Sequence, residues 1–79
     1  MDYIKQVLNK DSNLEELLMC FEVIKDNKDV VVIKFDGERV SNPYTLMVMF
    51  SNQSRQMLRI DSNNLKEGMQ NILKEYISE

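Results

Sequence analysis

The spacing of apolar residues changes twice along the chain, and this change constrains the fold more than any other feature. Upstream of Val30 the apolar residues recur at the three- and four-residue spacing of an amphipathic helix. From Val30 to Ile60 they alternate with the period of two that is typical of strands, and helical spacing returns near the end of the chain. The sequence therefore predicts an α+β fold in the order helix, three strands, helix.

The first helical segment is predicted to contain a short helix over residues 2–9 and a main helix over residues 13–26. The sequence Ser12-Asn13-Leu14-Glu15 matches a capping box, with Ser12 as the cap and Glu15 reaching back to it. A single kinked helix over residues 2–26 is the alternative, because the apolar positions stay roughly in phase. The apolar stripe of the main helix consists of Leu14, Leu17, Leu18, Phe21 and Ile24.

Three strands are predicted over residues 30–35, 44–50 and 55–60, because apolar and polar residues alternate there. Short connections favour an antiparallel meander. Residues 38–40 could form a short extra strand after the first turn. The turn signals between strands are Asp36-Gly37, Asn42-Pro43 and the polar residues 51–54.

The last helix follows Asn64, which is predicted to cap it together with Glu67. Gly68 lies inside this helix, where glycine is unfavourable, and we interpret it as a mark of close approach to the sheet. Each long helix has one apolar stripe, so the simplest arrangement places all helices on one face of the sheet within a single domain, residues 1–79. The stripe of the last helix is Leu65, Met69, Ile72, Leu73, Tyr76 and Ile77.

The small size of the chain limits how it can be stabilised. A chain of 79 residues buries only about 60% of its unfolded surface. It has one cysteine, Cys20, and no histidine, so the sequence excludes an internal disulfide and a conventional zinc site. Cys20 is predicted to be a small buried apolar residue. Good helix–sheet packing or self-association as a homodimer must supply the stability.

The composition indicates a soluble protein of the cytoplasm. The net charge is -3, and no apolar run approaches the ~20 residues that span a bilayer. The first residues lack the pattern of a signal peptide, so we expect a cytoplasmic location without membrane attachment. Frequent Asn, Lys and Ile suggest a bacterial or phage origin.

The sequence offers little for catalysis, and we expect a protein that is not an enzyme. Without histidine, Ser–His and Cys–His arrangements are impossible. Two acidic pairs, Asp36 with Glu38 and Asp61 with Glu67, have the positions of solvated turn and cap residues. We therefore predict no cofactor, no metal and no small-molecule substrate.

The two faces of the predicted sheet differ in character, and this difference carries the functional prediction. Alternation assigns the apolar residues of one face to the helices: Val31, Ile33, Phe35, Tyr44, Leu46, Val48, Phe50, Leu58 and Ile60. The opposite face is rich in methionine and arginine, residue types that are frequent on binding surfaces. The predicted partner-binding residues are Val32, Met47, Met49, Arg55, Met57 and Arg59, with Val30 at the margin.

Three occupants of this second face are considered. The first is a protein partner or a second copy, which would make the chain a small accessory, regulatory or neutralising protein. The second is the chain's own N-terminal helix, which would bury Met47 and Met49 as ordinary core. The third is nucleic acid, bound by Arg39, Arg55 and Arg59. Nucleic acid is disfavoured because the net charge is acidic and the aromatic residues are predicted to face the helices.

Overall fold

The computed structural model describes residues 2–78, and it confirms the α+β fold with all helices on one face of an antiparallel sheet. Two helices precede three strands, and a third helix follows them, so the alternative of one kinked N-terminal helix was wrong. Met1 and Glu79 lie outside the described residues. The elements are α1 (Asp2–Leu8), α2 (Leu14–Asp26), β1 (Val30–Phe35), β2 (Tyr44–Met49), β3 (Leu58–Ser62) and α3 (Leu65–Ile77).

The sheet has the strand order β1-β2-β3, with both neighbouring pairs antiparallel. The helix α2 packs against β1, and α3 packs against β2 and β3. The short helix α1 packs against α2 and α3, and among residues 2–78 it makes no contact with a strand. The second face of the sheet is therefore free of helices among residues 2–78.

The N-terminus of α2 is capped one residue later than predicted. The side chain of Asn13 accepts a hydrogen bond from the Glu16 backbone N–H at 2.9 Å, and the Glu16 carboxylate accepts from the Asn13 N–H at 3.1 Å. Ser12 instead donates to the Val7 carbonyl at 2.7 Å and is buried. The predicted pair of Ser12 and Glu15 was wrong because Ser12 bonds to the end of α1. Asn64 caps α3 as predicted.

The third strand is displaced from its predicted position. It begins at Leu58 and runs to Ser62, so Asp61 and Ser62 pair with Thr45 and Tyr44. The connection from β2 consequently covers residues 50–57 rather than the short polar loop alone.

The core lies between the helices and the inner face of the sheet. Leu46 and Val48 of β2 are fully buried there, together with residues of all three helices. A Cβ atom placed on Gly68 would lie 2.8 Å from Leu46 Cδ1 and 3.1 Å from Ser62 Cβ. The prediction that Gly68 marks a close approach between α3 and the sheet is therefore confirmed.

Candidate protein-binding face

The strand register assembles the helix-free side of the sheet into three rows of side chains, which we call the outer face. Lys34, Thr45 and Asp61 form the first row, and Val32, Met47 and Arg59 form the second. Val30 pairs with Met49 in the third row, and extending the β2–β3 register by one residue places Met57 opposite Met49. The outer face consists of Val30, Val32, Lys34, Thr45, Met47, Met49, Met57, Arg59 and Asp61.

One end of the outer face is apolar and partly open to solvent. Val30 and Met57 are each 50% exposed, while Val32, Met47 and Met49 are half-buried by their neighbours. The N-terminal helix does not cover them, since α1 contacts α2 and α3. The alternative in which α1 buries Met47 and Met49 was therefore wrong.

The other end of the outer face is polar and internally bonded. Thr45 is buried and donates from Oγ1 to Asp61 Oδ1 at 2.6 Å. Arg39, from the β1–β2 connection, donates from Nη1 to the same oxygen at 3.2 Å. Arg59 donates from Nε to Asp61 Oδ2 at 3.3 Å. The charges of the two arginines are thus directed at a carboxylate of the same chain.

These donors change the acidity of Asp61. The Thr45 hydroxyl and the Arg59 and Arg39 guanidinium groups lower the pKa of the Asp61 carboxyl from 3.8 to about 2. A general acid working near neutral pH needs a raised pKa, so this shift runs in the opposite direction. The Asp61 carboxylate is the common acceptor that holds Thr45, Arg39 and Arg59 together at the polar end of the outer face.

Arg55 lies against the C-terminal end of α3, whereas the sequence analysis grouped it with the outer face. It lies three residues before β3, so the strand register cannot be extended to it as it is to the adjacent Met57. Its guanidinium donates to the α3 carbonyls of Tyr76 at 2.8 Å and Glu75 at 3.0 Å, and to that of Ser78 at 2.9 Å. The guanidinium carbon also lies 4.8 Å from the centre of the Phe50 ring. Arg55 therefore caps the C-terminus of α3, where a positive charge is favourable.

The structure therefore brings together Val32, Met47, Met49 and Arg59 in paired strands and places Met57 directly before β3. It separates Arg55 from them. It also divides the three arginines proposed for nucleic-acid binding, because Arg39 and Arg59 contact Asp61 while Arg55 binds α3. Binding of nucleic acid stays a sequence-based alternative.

An apolar groove on the helix side of the sheet was not predicted. Phe35, which was expected to pack under the helices, is 66% exposed and contacts Tyr44 edge to face at 5.3 Å between ring centres. The groove has a volume of about 160 Å³ and is bordered by α2, α3 and the end of β1. Alternation placed Phe35 on the correct face but could not show that the helices leave this corner open. The groove is lined by Leu14, Leu18, Ile33, Phe35, Leu65 and Met69.

Cys20 is fully buried on α2, as predicted, and burial raises the pKa of its thiol. Across residues 2–78 no three His, Cys, Asp or Glu side chains are grouped in a way that would hold a metal ion. Within the same part of the chain, no helix has the length and apolar character needed to cross a membrane. Comparisons with protein-family models, with curated proteins and with solved structures found no match for this chain.

Proposed function

We propose that this protein is a small binding module that docks another protein on the apolar end of its outer face. The supporting observation is that Val30 and Met57 stay half exposed on a face that, among the described residues, carries no helix. Contiguous exposed apolar surface on a small protein is typical of interaction sites. Pairing of two such faces from two copies is the self-associating form of the same proposal.

The chemistry of the face indicates what the partner presents. Met47, Met49 and Met57 have flexible, polarisable side chains that adapt to an apolar surface. Arg59 and Lys34 lie beside them, but each is paired with an acid of the same chain: Arg59 with Asp61, and Lys34 with Asp36. The partner therefore offers mainly apolar side chains, with polar groups at the rim. We place this activity in the cytoplasm, in keeping with the sequence-based expectation.

Site-specific photocrosslinking tests the proposal in cells that produce the protein. A photoreactive side chain at Met57 should yield discrete adducts with a protein partner, or with a second copy in the self-associating form. The same group at Lys74, an exposed position on α3, is the matched control and should yield none of these adducts.

A second substitution links the adducts to the face itself. Adding Met47→Lys should abolish the Met57 adducts while circular dichroism shows an unchanged fold, since Met47 lies outside the helix–sheet core. Identical adduct patterns from Met57 and Lys74 would refute the proposal, as would adducts that survive Met47→Lys.

A further inference from the structure

The two edges of the sheet differ in their backbone and in their side chains. The Asp36 N–H donates to the Pro43 carbonyl at 2.8 Å, which makes residues 36 and 43 a hydrogen-bonded pair. Such pairs alternate along an antiparallel ladder, so Val30, Val32 and Lys34 bond to β2. The backbone N–H and C=O groups of Val31, Ile33 and Phe35 therefore point to the edge of the sheet, where no further strand pairs with β1 among residues 2–78.

The opposite edge, formed by β3, is protected in the way that natural edge strands usually are. By the same alternation, Arg59 and Asp61 direct their backbone groups outward there, and both carry charged side chains. On the β1 edge, the three outward-directed residues are apolar, and the strand as a whole carries one charge, Lys34. The β1 edge is thus the one that can accept another strand.

We propose that the β1 edge pairs with β1 of a second copy across a two-fold axis, giving a continuous six-stranded antiparallel sheet. This inference rests on the free edge of β1 and is independent of partner binding on the outer face. Its occupant is a second copy because β1 itself supplies a rigid, extended, apolar strand with matching backbone groups. A preformed strand avoids the ordering cost that a flexible peptide would meet.

The residues of β1 also restrict the register. A symmetric pairing must place Val31, Ile33 and Phe35 opposite one another, so that their free groups meet. An axis at Lys34 would bring two ammonium groups together, which is unfavourable. An axis at Ile33 pairs Ile33 with its own copy and Phe35 with Val31, an aromatic and β-branched combination that stabilises sheets. It also places the stem of Lys34 against Val32.

The pairing would stabilise a 79-residue chain whose own core is small, because a dimer removes more apolar surface from water. It also leaves the outer face accessible. In the paired sheet the outer faces of two copies lie side by side, so the partner surface would be doubled rather than covered.

Sedimentation equilibrium over a wide concentration range tests the proposal on the full chain. The wild type should reach twice the 9.3 kDa chain mass, reversibly. Val31→Pro removes one outward N–H, and proline is tolerated on an edge strand when that N–H faces solvent. We expect the dissociation constant to rise by about 100-fold or more, because each copy loses the same hydrogen bond.

Two further variants test whether the dimer interface lies on the β1 edge. Phe35→Lys changes a mostly exposed residue and should also give a monomer, even if Val31→Pro fails to fold. Met57→Lys adds the same charge to the outer face and should leave the dimer intact. A wild type that stays monomeric at millimolar concentration would overturn the proposal. So would a dimer that persists in Phe35→Lys, or one that Met57→Lys dissociates, since the latter would locate self-association on the outer face.

Discussion

The helix-covered inner face and the helix-free outer face of the sheet are built from the same strands but differ in burial. On β2, Leu46 and Val48 point inward and are fully buried, whereas Met47 and Met49 point outward and are only partly buried. The inner face determines stability, because helices pack on it closely enough to require Gly68. Alternate residues of one strand can therefore serve the fold and the interaction separately.

The largest expected effect compares two neighbours on β2. Leu46→Ala should lower the free energy of unfolding by about 3 kcal/mol, since it removes buried methyl groups and leaves a cavity. Met47→Ala should cost about 1 kcal/mol or less, because its side chain is partly exposed. Urea unfolding of both variants measures the difference. Equal losses in the free energy of unfolding would show that Met47 belongs to the core and that the two faces do not differ.

A second pair of variants tests how closely α3 approaches the inner face. Gly68→Ala would gain about 1 kcal/mol of helix propensity but places a methyl group against Leu46 and Ser62. We expect a net destabilisation of about 2 kcal/mol from this overpacking. Gly37→Ala is the control, since beyond its two chain neighbours no atom of residues 2–78 lies within 4 Å of the added Cβ, and its effect should stay within about 0.5 kcal/mol. A stabilising Gly68→Ala would mean that the helix lies further from the sheet.

The arginines give a third, smaller contrast between the two sides. Arg55→Lys should destabilise the protein by about 1 kcal/mol, because lysine cannot reproduce the fork of hydrogen bonds to three carbonyls. Arg59→Lys should have a smaller effect, since Arg59 is exposed and its ion pair with Asp61 is a surface contact. Thermal unfolding compares them, and a larger loss for Arg59→Lys would reverse the assignment.

These contrasts also show which parts of the structure the sequence could predict. Helical spacing and strand alternation located α2, α3, β1 and β2, because each has a strong periodic apolar pattern. The β3 boundary was missed because Asp61 and Ser62 are poor strand formers. In the folded protein, the Thr45 hydroxyl bonds to the Asp61 carboxylate across the strands, and this contact offsets the low propensity. Sequence periodicity contains no information on such a pairing.

The errors in the candidate site have the same origin. Arg55 was assigned to the outer face by alternation, but alternation ends where the strand ends. Phe35 was assigned to the correct face, yet its exposure depends on where α2 and α3 diverge. Both features depend on tertiary placement, and only the outer-face residues within regular strands could be predicted one by one.

The smallest expected effect concerns pH and the polar end of the outer face. The folded pKa of Asp61 is about 2, below its ordinary value of 3.8. The carboxylate therefore contributes stability above pH 3.8, and this contribution is lost as the pH falls toward 2. Asp61→Asn should weaken the pH dependence of urea unfolding in this window. A carboxyl NMR titration of the wild type checks the cause, and a midpoint at or above 3.8 would contradict it.

Methionine oxidation, mapped by mass spectrometry on dilute protein, tests most directly whether the chain itself leaves its outer face open. On the sheet, Met57 should react before Met47 and Met49, while Met19, which is 49% exposed on α2, should react about as fast as Met57. Met69, which is 1% exposed in the core, should react only on unfolding. Protection of Met47 and Met49 as strong as that of Met69, under conditions where the protein is monomeric, would contradict the account.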